Sequence, residues 1–266
     1  MKKRALAIGV ALLLTTLLGG CGGTEQAKPA AKPDAKTSAT SGTIKVGTEP
    51  TFAPFEFADK DAKNYDGFDM DLIRAIGQKL NRKVEIVNMG FDALIPALNS
   101  GNIDVAIAGM SITEDRKKAV DFSDPYYVSG LTVVVNKDNT AIKGINDLTN
   151  KKIAVQIGTT GADKAAKIQG TTVRAFNTNT EAFLELKNKN VDAVIIDKPV
   201  AAYYLTKEPK SGAMMVGETM DAESYGMAMK KNNKRLGKLN KVLAELKQNG
   251  EYDKLYKKWF GTAPQK

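Results

Sequence analysis

Asp104-Val105-Ala106-Ile107-Ala108-Gly109-Met110-Ser111-Ile112-Thr113-Glu114-Asp115-Arg116 is the stretch whose reading decides the fold. Its first five residues form a short apolar run with β-branched Val105 and Ile107, which predicts a buried strand rather than a helix. Thr113, followed by acidic Glu114 and Asp115, then predicts a helix N-terminus, where a hydroxyl caps free N–H groups and negative charge meets the positive end of the helix dipole. The turn also sets the Ser111 hydroxyl five positions from the Arg116 guanidinium. Together with the free N–H groups of a helix start, these would converge on one carboxylate or phosphate. Taken alone, the segment is better read as an ordinary capped turn with Arg116 a solvated surface charge.

Upstream of this turn, strands and helices alternate. Residues 44–48 predict a strand, 70–80 a helix with Leu72, Ile73, Ile76 and Leu80 on one face, and 84–87 a strand. Asp92 is read as the cap of a helix carrying Leu94, Ile95 and Leu98. Asp69 and Asp71 are likewise read as caps of the helix that follows them. This βαβαβ order predicts a parallel sheet with ligands near the carboxyl ends of its strands.

Downstream, Tyr126 and Tyr127 are read as hinge supports and 131–135 as a strand leading away. A second alternating series follows: strand 152–156, helix 160–168, strand 172–176, helix 180–188 and strand 191–196. Residues 225–229 predict another strand, then a helix with Leu236, Leu239, Leu243 and Leu246 that stops at Asn249-Gly250. A last helix is expected over 251–260. The sum is two α/β lobes, one from 43–130 plus 223–266 and the other from 131–222. Two crossing segments, near 129–131 and 223–226, would form a hinge suited to closure around a ligand.

Composition removes several functions. The chain of 266 residues has no histidine, so a Ser-His-Asp triad, a Cys-His pair and a His-containing zinc site are all excluded. Cys21 is the only cysteine, which leaves no intrachain disulfide and no second thiol for a metal site. No catalytic residue, metal or cofactor is expected. Lys2, Lys3 and Arg4 precede an apolar stretch over 5–18, and Leu18-Gly19-Gly20 leads into Cys21. This predicts a signal peptide over 1–20 ending at a lipoprotein cleavage site, with Cys21 lipidated.

Residues 21–42 are, after Cys21, mostly Ala, Lys, Pro, Thr, Ser and Gly with almost no large apolar side chains, and predict a flexible tether. The formal charge of +9 falls to +6 without the three basic residues of the signal. Its lysines are scattered, which points to solvation and attraction to an anionic membrane rather than to nucleic acid.

Several motifs in order carry a family resemblance. They are Gly47-Thr48-Glu49-Pro50-Thr51-Phe52-Ala53-Pro54-Phe55-Glu56-Phe57, Gly67-Phe68-Asp69-Met70-Asp71-Leu72, Phe91-Asp92-Ala93-Leu94-Ile95-Pro96-Ala97-Leu98, the turn from Gly109 to Arg116, Asp121-Phe122-Ser123-Asp124-Pro125-Tyr126-Tyr127, and Tyr256-Lys257-Lys258-Trp259-Phe260-Gly261. Across about 43–261 the chain resembles the solute-binding lipoproteins of ABC importers for polar amino acids, close to the glutamine and the lysine/arginine/ornithine binders. The resemblance implies the two-lobed, type II periplasmic-binding-protein-like α/β fold, and a monomer anchored by lipid to a bacterial membrane on its extracytoplasmic side. It also implies a free L-amino acid as ligand and the permease and ATPase subunits of an importer as partners. This chain itself carries neither a further membrane-length apolar stretch nor a Gly-x-x-x-x-Gly-Lys-Ser/Thr loop.

The same resemblance implies roles for individual residues. Arg116 would clamp the ligand α-carboxylate, aided by N–H groups at Ser111 and Thr160. Gly109, Ser111 and the Asp197 carboxylate would receive the α-ammonium. Phe52 and Phe91 would sandwich the side chain, with Glu49 and Gln156 toward its far end. Each has a plainer reading: Phe52 and Phe91 as core, Asp197 as cap of the helix from Lys198, Glu49 as a surface acid.

At the positions of Gln156 and Ile196 the glutamine binder has lysine and histidine, which argues against glutamine. Glu49 stands where basic amino acid binders place an acid facing the distal cation, which favours arginine or lysine. Two other classes stay open: a cyclohexadienyl dehydratase-like enzyme using Glu49 or Asp197 as acid, and a receptor or adhesin lipoprotein.

Overall fold

The computed structural model describes residues 42–264 except 60, 62 and 63. The predicted signal peptide, Cys21 and most of the tether lie outside the described residues. The elements run β1 (Thr43–Thr48), β2 (Thr51–Phe52), β3 (Glu56–Ala58), β4 (Tyr65–Asp66), α1 (Phe68–Lys79), β5 (Lys83–Asn88), α2 (Leu94–Ser100), β6 (Val105–Ala106), α3 (Glu114–Ala119) and β7 (Val120–Phe122). They continue as β8 (Tyr127–Asn136), β9 (Lys152–Gln156), α4 (Thr160–Ala166), β10 (Thr172–Phe176), α5 (Asn179–Lys187), β11 (Ala193–Asp197), α6 (Lys198–Lys207) and β12 (Ala213–Tyr225). The chain then forms β13 (Ala228–Lys230), α7 (Leu236–Gln248) and α8 (Glu251–Phe260).

Two five-stranded sheets organise these elements into two α/β lobes. The first has the order β5-β1-β6-β13-β7, with β5, β1 and β6 parallel and β13 antiparallel to its neighbours. The second has the order β10-β9-β11-β8-β12, with β10, β9 and β11 parallel. There β8 runs antiparallel to β11, and β12 antiparallel to β8. A small sheet, β2-β3-β4, forms a flap on the first lobe. Parallel strands need crossovers, and the helices between them supply the apolar faces that cover each sheet.

Local sequence accounts for most elements. In α1 the spacing of Phe68, Leu72, Ile73 and Ile76 buries one face completely, while acids in the first turn and Lys79 in the last complement the dipole. Thr178 and Glu181 close a reciprocal capping box at the start of α5. Gly250, at φ 78°, separates α7 from α8 in a left-handed conformation that costs glycine little.

Three expectations are corrected. Asp92 does not cap α2: it lies inside a 3₁₀ turn over Phe91–Ala93, one residue before the N-cap Ala93, which makes no side-chain cap bond. Asp69 and Asp71 do not cap α1, whose N-cap is Gly67 without a side-chain bond. Asp71 instead accepts from Lys258 and Trp259 of α8, at 2.6 and 2.8 Å. Residues 225–229 are two strands rather than one, because β12 ends at Tyr225 and the chain crosses to the first sheet through Gly226 and Met227. A side chain at 226 would meet Ile112 at 2.8 Å, so glycine allows the crossing.

The chain enters the second sheet along β8 and returns along β12, and these strands pair from Ala213↔Asn136 to Tyr225↔Tyr127. An aromatic cluster packs against their shared end. Phe55 of the flap meets Tyr127 at 4.8 Å and Tyr225 at 5.2 Å, both edge to face, and Tyr127 stacks on Tyr225 at 5.6 Å and on Tyr256 of α8 at 5.8 Å. Such pairs add about 0.5–1.5 kcal/mol each beyond area burial. The C-terminal helix therefore braces the crossing strands.

Candidate functional site

The turn between β6 and α3 is stitched in place from several sides. Thr113 caps α3 by accepting from the Arg116 N–H at 3.2 Å. Ile112 N donates to Ser224 O at 2.8 Å and Gly226 N to Met110 O at 3.0 Å, tying the turn to the end of β12. Gly109, at φ 53°, lies under Phe52, and a Cβ there would come within 2.4 Å of that ring. Its N–H donates to the fully buried Asp69 at 2.9 Å, as does the Tyr126 hydroxyl at 2.7 Å.

Burial pushes Asp69 up to about 6 and, with the charge of Asp69 beside it, pushes Glu56 well above the usual carboxylate range.

Arg116 has turned away from the surface. Its neighbours Lys117 and Lys118 pair with Glu114 and Asp115 in solvent, each at 2.7 Å. The guanidinium lies 5.2 Å from the Phe91 ring centroid and donates to Ser111 O at 2.7 Å and to Gly158 O, in the second lobe, at 2.9 Å. The plain reading of a solvated Arg116 is thereby overturned. Burial lowers its pKa, and Glu223, Asp163 and Asp197 oppose that effect.

Across the cleft, Asp197 ends β11 and stands at the N-cap of α6 without capping it. Its carboxylate instead accepts from Ser129 at 3.0 Å and from the Tyr225 hydroxyl. Burial raises its pKa to about 7; Glu223 adds to the rise, while Tyr225, Ser129 and Arg116 oppose it.

Glu49 is only 5% exposed, which removes its reading as a surface acid. It accepts from Thr51 and from Gln156 of the other lobe, both at 2.7 Å. Asn179 in turn donates to the Gln156 carbonyl oxygen at 2.9 Å. Burial raises the Glu49 pKa, and the hydrogen bonds from Thr51 and Gln156 resist the rise.

Ser111 and Thr160, from different lobes, both donate to the carboxylate of Glu223, Thr160 at 2.8 Å. The sequence marks Glu223 only as part of the crossing segment, because its partners are remote in the chain. It marks Ser129 and Tyr225 in the same way, and gives no sign of Gly158. Each of them acts through tertiary contacts that carry no local pattern.

The expected site residues are linked in pairs, several of them across the two lobes: Phe52 on Gly109, Phe91 under Arg116, Glu49 on Gln156, Ser111 and Thr160 on Glu223, and Asp197 within the field of Arg116, with Phe52 and Phe91 also part of the buried apolar clusters. A groove of about 480 Å³ lined by Pro50, Thr51, Phe57, Phe183 and Tyr203 opens beside them, between the flap and the second lobe. Chemically, one part of this region carries a guanidinium in the field of Glu223 and Asp197, and another carries Glu49, an acid held by the neutral Thr51 and Gln156. Such an arrangement suits a molecule carrying both charges.

Residues 44–262 match the bacterial extracellular solute-binding proteins, family 3. A probable histidine-binding protein of Campylobacter jejuni is 38% identical over 222 residues, covering 83% of this chain and 86% of its own. An ancestral arginine-binding protein solved with arginine bound superposes with a TM-score of 0.81 at 50% identity, over 84% of this chain and 100% of that one. An ancestral amino acid-binding protein that is a precursor of cyclohexadienyl dehydratase superposes with a TM-score of 0.75 at 43% identity, over 82% and 95% of the respective chains.

Proposed function

This chain belongs to the bacterial extracellular solute-binding proteins of family 3, and from that premise we propose that it binds a free basic L-amino acid, arginine or lysine. It does so outside the cytoplasm, held to the membrane by a lipid on Cys21, and delivers its ligand to the permease and ATPase subunits of an ABC importer. Arg116 grips the α-carboxylate with the N–H groups of Ser111 and Thr160. Gly109 O, the Ser111 hydroxyl and Asp197 receive the α-ammonium, while Phe52 and Phe91 wall the side chain. A zwitterion stripped of water needs partners for both charges, since unpaired buried charge is costly.

One observation carries the choice of a basic ligand. Glu49 is buried, its hydrogen bonds come from the neutral Thr51 and Gln156, and no cation is among the groups that shift its pKa. A ligand that brings its own distal cation completes it. The arginine-bound ancestor and the probable histidine-binding relative are named for amino acids whose side chains carry or can acquire positive charge, which supports the same choice.

Titration calorimetry with arginine, lysine, histidine, glutamine and glutamate tests the reading, with arginine or lysine expected to bind tightest. Glutamine binding more tightly than arginine would overturn it. In thermal unfolding, the preferred ligand at 100 times its dissociation constant should add about 2.7 kcal/mol of stability. A protein stabilised by no amino acid would belong instead to the receptor or adhesin class.

Affinity should also depend on pH with a definite sign. Asp197 sits near 7 before it meets an ammonium, and Glu49 is raised as well. A bound cation favours the ionised form of each, so binding below pH 7 must expel protons. Arginine affinity is therefore expected to be level above about pH 8 and to fall as pH drops from 7 to 5, by up to about tenfold per unit for each group titrating. Calorimetry in buffers of different ionisation enthalpy would detect the released protons, and an affinity that rises on acidification would contradict the assignment.

A further inference from the structure

Glu223 lies on the strand crossing between the lobes, directly opposite Ser129 in the β12–β8 register. One of its carboxylate oxygens accepts the Ser111 hydroxyl from the first lobe and the Thr160 hydroxyl, at 2.8 Å, from the second. Both hydroxyls belong to residues placed at the α-carboxylate end of the cleft. Each has a single proton, and donating it to Glu223 leaves its lone pairs turned to other partners. Glu223 is also the acid whose charge most supports Arg116.

A rotation about the β8 and β12 crossing separates Ser111 from Thr160, while Glu223, lying on the crossing itself, stays between them. In the present structure it bridges the two. The bridge adds two hydrogen bonds to closure without touching the ligand's side chain. We propose that Glu223 is the latch of this cleft, a hinge-strand carboxylate that ties one hydroxyl from each lobe and so holds the ligand-gripping turn closed. This rests on the reading of the cleft as an amino acid site that closes on its ligand.

The test uses the full chain. In Glu223→Ala, arginine and glutamine should both bind at least tenfold more weakly and dissociate faster. Glu223→Gln, whose amide oxygen still accepts both hydroxyls, should recover affinity to within about threefold of the parent. Thr160→Val should weaken binding like Glu223→Ala and cost nothing further in the double variant, because both remove the same bridge.

Without ligand, hydrogen exchange at residues 111–112 and 160–162 should quicken in Glu223→Ala and in Thr160→Val alike. Additive effects of the two substitutions would overturn the latch, as would unchanged exchange or a loss confined to one amino acid. Should Glu223→Ala not fold, Thr160→Val alone decides by the same exchange readout. Failure of the parent to bind any amino acid would sink the functional reading, while the exchange experiment would still judge the latch.

Discussion

Arg116→Ala is expected to abolish binding of every amino acid, regardless of side chain, while the protein stays folded. On the proposed reading the guanidinium would face the one group all amino acids share, and breaking a buried ion pair costs about 3–5 kcal/mol. That converts to roughly a hundred- to several-thousand-fold in affinity. The fold should survive because Arg116 is itself desolvated at some cost, and because its bonds reach carbonyls of Ser111 and Gly158 at the edge of the cleft rather than the core. Calorimetry would measure the loss and circular dichroism the retained fold. Unchanged affinity for arginine would remove Arg116 from the site.

Glu49→Gln should produce the second large effect, a loss of selectivity rather than of binding. The substitution keeps an oxygen that can accept from Thr51 and Gln156, so the interlobe contact at this end survives. Only the charge goes. Arginine and lysine should lose about 1.5–3 kcal/mol, the range for hydrogen bonds to charged groups, and glutamine should hold its affinity or gain. Competition between arginine and glutamine would show the ratio collapsing by roughly tenfold to a hundredfold. If both ligands weaken together, Glu49 shapes the cleft and does not choose its occupant.

The two variants divide the cleft into a shared end and a selective end. On the proposed reading, binding energy at Arg116, Asp197 and the Gly109 turn would be the same for every amino acid, and the difference at Glu49 and Gln156 would separate one from another. The Glu49 bond to Gln156 links selectivity to closure, since the residues come from opposite lobes. A ligand cation placed there meets an acid already ordered by both.

Much of this was legible in the chain. The β6–α3 turn, the strands at 152–156 and 172–176 and the last helix at 251–260 follow from periodicity and capping, which are local. The long strand β12 was not legible, because Ala213-Met214-Met215-Val216-Gly217-Glu218-Thr219-Met220 lacks alternation and its pairing with β8 shifts register twice. Asp69 and Asp197 show the limit most clearly. Asp69 lies in the first turn of α1 and Asp197 at the N-cap of α6, and both turn to remote partners instead of capping.

By itself, then, the sequence determined the order of strands and helices, the two-lobed class, and the absence of histidine and thiol-pair chemistry. Those follow from patterns spanning a few residues and from composition. Only the tertiary structure decided what each polar group does. Asp69 holds Gly109 from 40 positions away, Tyr225 reaches Asp197 across 28, Gln156 meets Glu49 across 107 and Ser111 meets Glu223 across 112. A buried polar group must find a partner, but which partner depends on the packing that brings distant segments together, and no local pattern encodes that.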